Sequence, residues 1–403
     1  MVGGTLVTYG RKSERGRLGI RGERIAAGQG KPTFDLGGKS TVYPALVNSH
    51  DHLLGNYLPA IGPGNDSFYL TWMPWDNDLK TSAVFRERSV LSREELYLLS
   101  AYKCLFSGVA TVNDHFPHDL NRHILPTLPI RAIPEYCLAH ECSSYDLGWG
   151  AGMVREHDLA VEKGWPFVTH ICEGFDDESM RGIDILESAG CLSRNCLLVH
   201  CLSVSDGDIG KMARAGASVA WCPRSNMRMF NVTAKVRKML QAEVNVTLGT
   251  DSSASGSINL LEEIRYGRDL YRQLYGEDLP ARRLFEMVTV NAARALWMED
   301  RIGTLEIGKL ADILVLETKD DDPYENLVNA GMADIELLVL AGRPIYGQTR
   351  FLDIFGGRLP AGYSLVEVGG RRMFVKGNPA GLYLNLRKKV GFDKVLDYLP
   401  FEP

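Results

Sequence analysis

Six polar residues whose side chains can bind metals or carry protons lie between positions 50 and 251 of this 403-residue chain. They are His50, His52, His170, Glu173, His200 and Asp251. Short apolar runs precede them, such as residues 197–199 before His200 and 246–248 before Asp251. Such runs, separated by helix-like stretches, predict parallel strands that are buried on both faces. Because the carboxyl ends of parallel strands meet at one end of a barrel, we predict that the six side chains converge on a catalytic metal centre.

The spacing of His50 and His52 suits two ligands of one metal ion, because residues two apart on a strand project from the same face. His170 and Asp251 follow later strands, and together these residues offer three imidazoles and one carboxylate. That donor set suits one divalent metal ion, with Zn²⁺ expected first and Fe²⁺ or Mn²⁺ as alternatives, and it leaves a position for water. Water at such a centre has a pKa near ~7, so hydroxide is available at neutral pH.

Two further polar residues have the chemistry of proton transfer and substrate activation. Glu173 lies three residues after His170, just beyond the predicted strand end. A carboxylate there can take a proton from the water and give it to a leaving group. His200 would either polarise the substrate or hold the attacking water.

The composition is that of an ordinary globular protein, with 45% hydrophobic and 24% charged residues. The length allows one barrel-sized domain and a small accessory domain. A net charge of -5 argues against nucleic acid or an anionic membrane as the main partner, so a small-molecule substrate is expected. No long apolar stretch or leader pattern is visible, and the eight cysteines contain no C-x-x-C pair, which predicts buried thiols in a cytoplasmic protein.

The pattern of elements predicts an α/β fold with a discontinuous accessory domain. Short alternating segments with glycine turns occupy residues 1–42 and return in 308–365, which predicts a small β-sandwich built from both termini. Strand patterns alternate with helical patterns over 43–307, which predicts the metal-dependent hydrolase barrel. Residues 366–403 are predicted to be a C-terminal tail with a helix near 388–398.

Seven barrel strands are predicted, at 43–49, 108–114, 130–138, 165–170, 196–200, 217–222 and 244–250. Only 26 residues separate Leu138 from Trp165, which is too few for a helix, a strand and a second helix. One barrel strand is therefore predicted to be reduced or missing. Residues 54–88 are rich in Gly, Pro and Trp and show no helical or strand period, which is typical of a lid or substrate-binding loop.

Several motifs resemble those of the amidohydrolase superfamily. The run Pro-Ala-Leu-Val-Asn-Ser-His-Asp-His at 44–52 resembles its first-strand motif, and the His-Ile-Cys-Glu run at 170–173 resembles the H-x-x-E motif of its deaminase branch. Residues 198–200, 220–226 and 248–251 match that branch in order and spacing. The branch contains mononuclear metal-dependent deaminases and chlorohydrolases, including cytosine, guanine and S-adenosylhomocysteine deaminases.

The resemblance implies a mononuclear metal in a distorted (β/α)8 TIM-type barrel. The ligands it implies are His50, His52, His170 and Asp251. Glu173 would shuttle the proton, His200 would stabilise the tetrahedral intermediate, and Asp251 would also orient the attacking hydroxide. Relatives with two metals bridge them through a lysine or glutamate on the fourth strand, for which Glu135 and Glu141 are weak candidates, so one metal is expected. Many relatives are homo-oligomers.

Loop residues near the predicted strand ends indicate the kind of substrate. The predicted substrate contacts are Trp72, Trp75, His115, Trp149 and Arg224. Aromatic side chains there could stack on a planar ring, which favours hydrolytic deamination of an amino-substituted pyrimidine, purine, pterin or triazine. A hydrolase of the same scaffold that removes chloride or opens a cyclic amide is the alternative. A binding protein without activity is disfavoured, because all six polar residues are retained.

Overall fold

The amino-terminal part of the chain forms a group of short strands. The computed structural model of the protein describes residues 2–7, 14–28, 34–36, 38–63 and 67–401, so parts of the segment 1–42 lie outside the described residues. The strands are β1 (Val2–Leu6), β2 (Glu14–Arg21), β3 (Arg24–Ala27), β4 (Phe34–Asp35) and β5 (Ser40–Pro44). Strand β1 pairs antiparallel with β2 and parallel with β4 and β5.

The middle of the chain contributes two parallel sheets. Their strands are β6 (Leu46–Asp51), β7 (Val109–Asp114), β8 (Arg131–Ala132), β9 (Cys137–Glu141), β10 (Phe167–Ile171), β11 (Cys196–His200), β12 (Ser218–Trp221) and β13 (Asn245–Leu248). Strands β6 to β8 form one sheet in chain order, and β9 to β13 form the other. The two outer strands β6 and β13 meet through the Ser49 hydroxyl, which lies 2.7 Å from the hydroxyl of Thr247 and donates to Leu248 O at 2.8 Å.

The number of parallel strands differs from the seven that the sequence predicts. Within the described residues there are eight, because the predicted strand 130–138 is divided into β8 and β9. Pro134 lies between them, and proline has no N–H to donate to a ladder, which favours a break between two strands at this position. The reduced strand is β8, which has two residues.

Helices follow most of the parallel strands. They are α1 (Trp72–Thr81), α2 (Ala83–Arg88), α3 (Arg93–Leu105), α4 (His118–Asn121), α5 (Met153–Lys163), α6 (Gly182–Ser188), α7 (Asp206–Ala215), α8 (Pro223–Phe230), α9 (Val236–Gln241), α10 (Leu260–Tyr275), α11 (Ala281–Met287), α12 (Val290–Ala295), α13 (Pro323–Val328) and α14 (Pro379–Val390). None of the described helices is both long enough and apolar enough to cross a membrane.

Two helix predictions need correction. The stretch 54–88 was expected to lack regular structure, but it contains α1 and α2, and the Ser82 hydroxyl caps α2 by accepting from Phe85 N at 3.1 Å. The tail helix was expected near 388–398 and instead spans Pro379–Val390 as α14. It ends at Gly391, whose φ of 86° is readily adopted by glycine and terminates the helix.

Strands from both ends of the chain share one large sheet. The carboxyl-terminal strands are β14 (Ile313–Glu317), β15 (Ile335–Leu340), β16 (Arg343–Gln348), β17 (Tyr363–Val368) and β18 (Arg371–Lys376). The sheet has the order β17-β18-β16-β15-β14-β5-β1-β2-β3, with β4 beside β1, and it extends past residue 365. Ala45 alone separates β5 from β6, and its N–H donates to Asp312 O at 3.0 Å. This sheet is therefore anchored directly to the strand that carries His50.

Candidate metal centre

The predicted polar residues lie at the carboxyl ends of the parallel strands. His50 is the second-last residue of β6, and His170 is in β10. His200 ends β11, and Asp251 follows β13 by three residues. Glu173 lies two residues after β10. Five of the six residues are buried, and His52 is half-buried. The strands thus bring together side chains that are up to 201 positions apart (251 minus 50) in the sequence.

Imidazole and carboxylate atoms from these strands approach one another closely. His52 Nε2 lies 3.2 Å from His170 Nε2 and 3.7 Å from Asp251 Oδ1. Ligand atoms of His50, His52, His115 and His170 all lie within 4.8 Å of one another. Of these, the sequence identified His115 as a substrate contact, whereas the structure brings it into the histidine cluster.

The hydrogen bonds of the histidines leave nitrogen lone pairs inside the cluster. His170 Nδ1 donates to His140 O at 2.8 Å, so its Nε2 carries a lone pair that faces His52. Both ring nitrogens of His50 are buried without a hydrogen-bond partner. Buried polar atoms without a partner are costly, and a divalent cation is the group that accepts several neutral imidazoles together. The donor set therefore fits a metal ion, and the assignment of individual ligands stays a prediction.

Burial sets the charge of the cluster. It lowers the pKa of His50 well below its usual value, and the neighbouring His52 and His115 lower it further. Burial likewise lowers the pKa of His170. Burial opposes ionisation of Asp251, yet His52 and His200 nearby bring the pKa of its carboxyl below the ordinary value. These shifts favour the neutral imidazoles of His50 and His170 and the ionised carboxylate of Asp251, which are the protonation states that metal binding requires.

Glu173 and His200 form a buried pair at the edge of the cluster. Glu173 Oε1 lies 3.4 Å from His200 Nε2, and both side chains are buried. His200 Nδ1 donates to Asn226 Oδ1 at 2.8 Å, so Nε2 carries the lone pair that faces Glu173. Burial raises the pKa of Glu173 well above its usual value, and Asp251 and Glu141 raise it further. A carboxyl group whose pKa is shifted upward by burial has the character of a general acid or base.

The backbone at the strand ends is strained where it presents these residues. His200 has a φ of 69° and Asp251 a φ of 52°, in the left-handed region that residues with a Cβ rarely adopt. Asp251 N donates to His50 O at 3.2 Å, which holds the turn against β6. The Ser225 and Ser255 hydroxyls donate to Asp251 Oδ2 at 2.8 and 2.7 Å and fix the carboxylate. Strain of this kind clusters at functional sites and is not visible in the sequence.

A buried ion pair behind the cluster was missed by the sequence analysis. Lys103 Nζ of α3 donates to Asp51 Oδ2 at 2.9 Å and to Asn56 Oδ1 at 2.7 Å, and both charged side chains are buried. It also lies 3.2 Å from Thr250 Oγ1 and 3.3 Å from Asp251 O. The signal was available in the sequence, because Lys103 lies among apolar residues on a helix where a lysine needs a buried partner.

A cavity of about 340 Å³ opens beside the histidine cluster. Its wall includes three of the predicted substrate contacts, Trp72, Trp75 and Trp149. The predicted contact Arg224 is not part of the wall, because its Nε donates to Ser257 Oγ at 2.9 Å and its guanidinium lies over the Tyr266 ring. The wall also contains residues that the sequence did not single out, namely Leu54, Leu58, Leu79, Phe85, Arg88, Phe116, Leu120, His140 and Leu147.

The two weak candidates for bridging a second metal have other partners. Glu135 is half exposed and lies 3.7 Å from Arg301. Glu141 accepts from Trp72 Nε1 at 2.8 Å and so holds an aromatic wall of the cavity. His140, beside Glu141, was overlooked because β9 was merged with β8 in the predicted strand 130–138.

Comparisons with known proteins agree with this arrangement. Residues 158–345 match the model of the amidohydrolase family. The matched residues make up slightly less than half of the chain. A 5-methylthioadenosine/S-adenosylhomocysteine deaminase of Desulforudis audaxviator is 37% identical over 182 residues. That alignment covers 43% of this chain and 42% of the relative, so the chain matches about two-fifths of the relative's length.

Two solved structures share the fold. An adenosine deaminase from Xanthomonas campestris with bound zinc superposes with a TM-score of 0.71 at 17% identity. The alignment covers 96% of this chain and 97% of the deaminase chain. An atrazine chlorohydrolase from Arthrobacter aurescens in complex with zinc has a TM-score of 0.69 at 21% identity, with coverage of 86% and 95%. At this level of identity the likeness extends to the fold, which is of the TIM-barrel α/β type.

Proposed function

We propose that this protein is a metal-dependent hydrolase of the amidohydrolase family that deaminates an amino-substituted nitrogen heterocycle. The observation that carries the proposal is the Glu173–His200 pair, 3.4 Å apart, beside a cluster of imidazoles and an aromatic cavity. The deaminase name of the relative from Desulforudis audaxviator supports the same reaction type. The substrate class is a purine, pyrimidine, pterin or triazine, as the sequence predicts.

The proposed metal site uses the residues that the sequence predicts. His50, His52, His170 and Asp251 would hold one divalent cation, with zinc expected because both structural neighbours contain it. When bound, the metal would supply a Lewis acid that lowers the pKa of a water ligand toward neutrality. The lone pairs on the buried nitrogens of His50 and on His170 Nε2 support this assignment.

The residues around this site would divide the proton transfers between them. Water would add to the ring carbon that bears the amino group, and Glu173 would accept one of its protons and deliver it to the departing amino nitrogen. The second proton of the water would move to the adjacent ring nitrogen, so ammonia leaves and a ring carbonyl next to an N–H remains. His200, held by Asn226, would stabilise the oxygen charge of the tetrahedral intermediate. Asp251, fixed by two serine hydroxyls, would orient the attacking water.

Removal of chloride is the second candidate, because a structural neighbour is an atrazine chlorohydrolase. The two reactions share the water addition and differ in the leaving group. Ammonia must be protonated before it departs, whereas chloride leaves as an anion without a proton. Only deamination uses Glu173 as a proton donor to the leaving group, so the Glu173–His200 pair in the cavity wall favours deamination.

The deciding experiment is a screen of zinc-loaded protein against amino-heterocycles and chloro-heterocycles, with ammonia and chloride measured in parallel. Ammonia release identifies a deaminase, and chloride release identifies a dechlorinating hydrolase. Glu173→Gln should keep the zinc and lower kcat by at least ~10²-fold, as expected for loss of a positioned acid and base. Glu263 is a buried glutamate outside the cavity wall, so Glu263→Gln serves as the matched control with near-normal turnover. Normal turnover by Glu173→Gln would contradict the proposed role.

The organisation of the whole chain is also proposed. We infer that the eight parallel strands correspond to a distorted (β/α)8 barrel over residues 43–307. The segments 1–42 and 308–365 would form a small β-sandwich, whose sheet continues through β17 and β18 to Lys376, and the tail within 366–403 would begin after β18. A cytoplasmic protein that acts on a small molecule, without a nucleic acid partner, is the expectation from its charge and composition. Homo-oligomerisation is open to a measurement of mass in solution.

A further inference from the structure

One cation in the cavity wall has no carboxylate partner among the described residues. Arg88 ends α2, and its Nη1 donates to Leu54 O at 2.9 Å. Its guanidinium lies over the Phe85 ring, 4.2 Å from the centroid. The other cation of the wall, Lys80, is paired with Asp76 at 2.5 Å. Arg88 therefore differs from Lys80 in having a positive charge that no described side chain neutralises.

The setting of Arg88 makes an unpaired charge costly. Burial lowers the pKa of Arg88, because part of the guanidinium is removed from water. An arginine nevertheless stays protonated, and it has five N–H donors in a planar fork. One donor is used by the Leu54 carbonyl, which leaves the others for the cavity. Such a fork matches the two oxygens of a carboxylate, and the match is strongest where water is excluded.

Arg88 lines the same cavity as the proposed reaction centre. Leu54 follows His52 by two residues, so their Cα atoms are at most about 7.6 Å apart. Both residues line the same cavity. The guanidinium lies over Phe85, and the same wall includes Leu58 and Leu79, none of which offers a competing hydrogen-bond acceptor on its side chain. A ring bound beside the histidine cluster and a substituent directed at Arg88 would therefore share one cavity.

We propose that the substrate is an amino-heterocycle that carries a carboxylate on a short substituent, and that Arg88 binds this carboxylate. The inference rests on the proposed function for the reaction and adds the class of substrate. A carboxylate is favoured over a phosphate because the described wall offers one unpaired cation, which balances a single negative charge.

The test compares substrates that differ in one group. Adenosine-5′-carboxylate, adenosine and adenosine 5′-monophosphate form one set, and pterin-6-carboxylate and 6-hydroxymethylpterin form a second. In one of the two sets, zinc-loaded wild-type protein should release ammonia from the carboxylate with a kcat/KM at least ~10-fold higher than from the neutral compound of that set. This is the preference expected for a charge-assisted contact. Arg88→Met, which keeps the apolar stem, should reduce the preference to within about 3-fold, and Arg88→Lys should retain part of it.

Arg86→Met is the matched control, because Arg86 lies on the same helix, is exposed and is not part of the cavity wall. It should leave the carboxylate preference unchanged. Equal rates with carboxylate and neutral partner, a preference for the phosphate, or an unchanged preference in Arg88→Met would each overturn the proposal.

Calorimetric titration of the same zinc-loaded proteins separates this inference from the proposed reaction. If no compound releases ammonia, the deaminase proposal fails, but the binding constants still test Arg88. Tighter binding of a carboxylate than of its neutral partner, lost in Arg88→Met and kept in Arg86→Met, supports the recognition site. If no carboxylate binds more tightly than its neutral partner, including the case in which none binds, the recognition site is overturned.

Discussion

His170 uses its two ring nitrogens for different purposes. Nδ1 donates to the carbonyl of His140 at 2.8 Å, which fixes the ring and its tautomer. Nε2 is left as a lone-pair donor 3.2 Å from His52 Nε2. A backbone contact of this kind orients a metal-binding imidazole and increases its basicity. A substitution of His170 therefore tests the predicted metal site directly and does not need a substrate.

Loss of an outer hydrogen-bonding partner of a metal ligand weakens metal binding by about 10–100-fold. His170→Ala should weaken zinc binding by more than this, because it removes a predicted ligand itself. The measurement is competition against a chromophoric chelator, with zinc content determined after dialysis. The matched control is His157→Ala, because His157 is also buried but bonds to Ser193 Oγ at 2.8 Å, away from the cluster. Equal zinc affinity in His170→Ala and wild-type protein would remove His170 from the predicted ligand set.

At the scale of elements, helix α3 supports the strand ends through Lys103. Its Nζ contacts Asp51 at the end of β6 and the Asp251 carbonyl after β13. The same helix begins at a capping box, in which the Ser92 hydroxyl accepts from Glu95 N and the Glu95 carboxylate accepts from Ser92 N. The capping box fixes where the helix starts. Lys103 faces inward because it shares a helix face with Leu96 and Leu99, which are buried.

Lys103→Met should lower the free energy of unfolding by about 3–5 kcal/mol, because it leaves the Asp51 carboxylate buried without its counter-charge. Asp51→Asn combined with Lys103→Met removes both charges and should restore part of that loss. Urea unfolding of the two variants and the wild type measures the effect. A single variant as stable as wild type would show that the pair contributes nothing. A double variant no better than the single would show that the loss comes from packing rather than charge.

The sequence predicted the elements whose pattern is local and missed those that depend on neighbours in space. Apolar runs and polar endings located most of the parallel strands, because burial on both faces leaves a continuous apolar signal. The same signal merged β8 with β9, since nothing in 130–138 except Pro134 marks the break. Helices α1 and α2 were missed because their residues pack against other parts of the cavity wall, so tertiary contact outweighs a weak local period.

The candidate site shows the same division between features with a local sequence pattern and features that depend on neighbours in space. Residue types and spacing brought His50, His52, His170 and Asp251 to one place, because strand ends converge whatever the details of the loops. The positions of Arg88 and Arg224 could not be predicted, since both are basic residues in or next to helices and only the fold decides which one lines the cavity. The left-handed backbone of His200 likewise has no sequence signature, because it is imposed by neighbouring strands.

At the scale of the whole molecule, the carboxyl-terminal tail packs against the loop that follows β6. The buried Tyr398 hydroxyl donates to Asn56 O at 2.7 Å. Asn56 in turn donates to Asp51 Oδ1 at 2.9 Å and accepts from Lys103 Nζ at 2.7 Å. A residue near the end of the chain is thus linked through one loop to the ion pair behind the histidine cluster.

Tyr398→Phe should lower the free energy of unfolding by about 1–3 kcal/mol, because it leaves the buried Asn56 carbonyl without this donor. Zinc affinity should fall by less than in His170→Ala, since the hydroxyl acts on the loop and touches no predicted ligand. Tyr383→Phe is the matched control, because its hydroxyl donates to Lys394 O at 2.9 Å in a half-buried part of the same tail, where water can replace it. If urea unfolding shows that Tyr383→Phe is less stable than Tyr398→Phe, the tail is not coupled to the site through Tyr398.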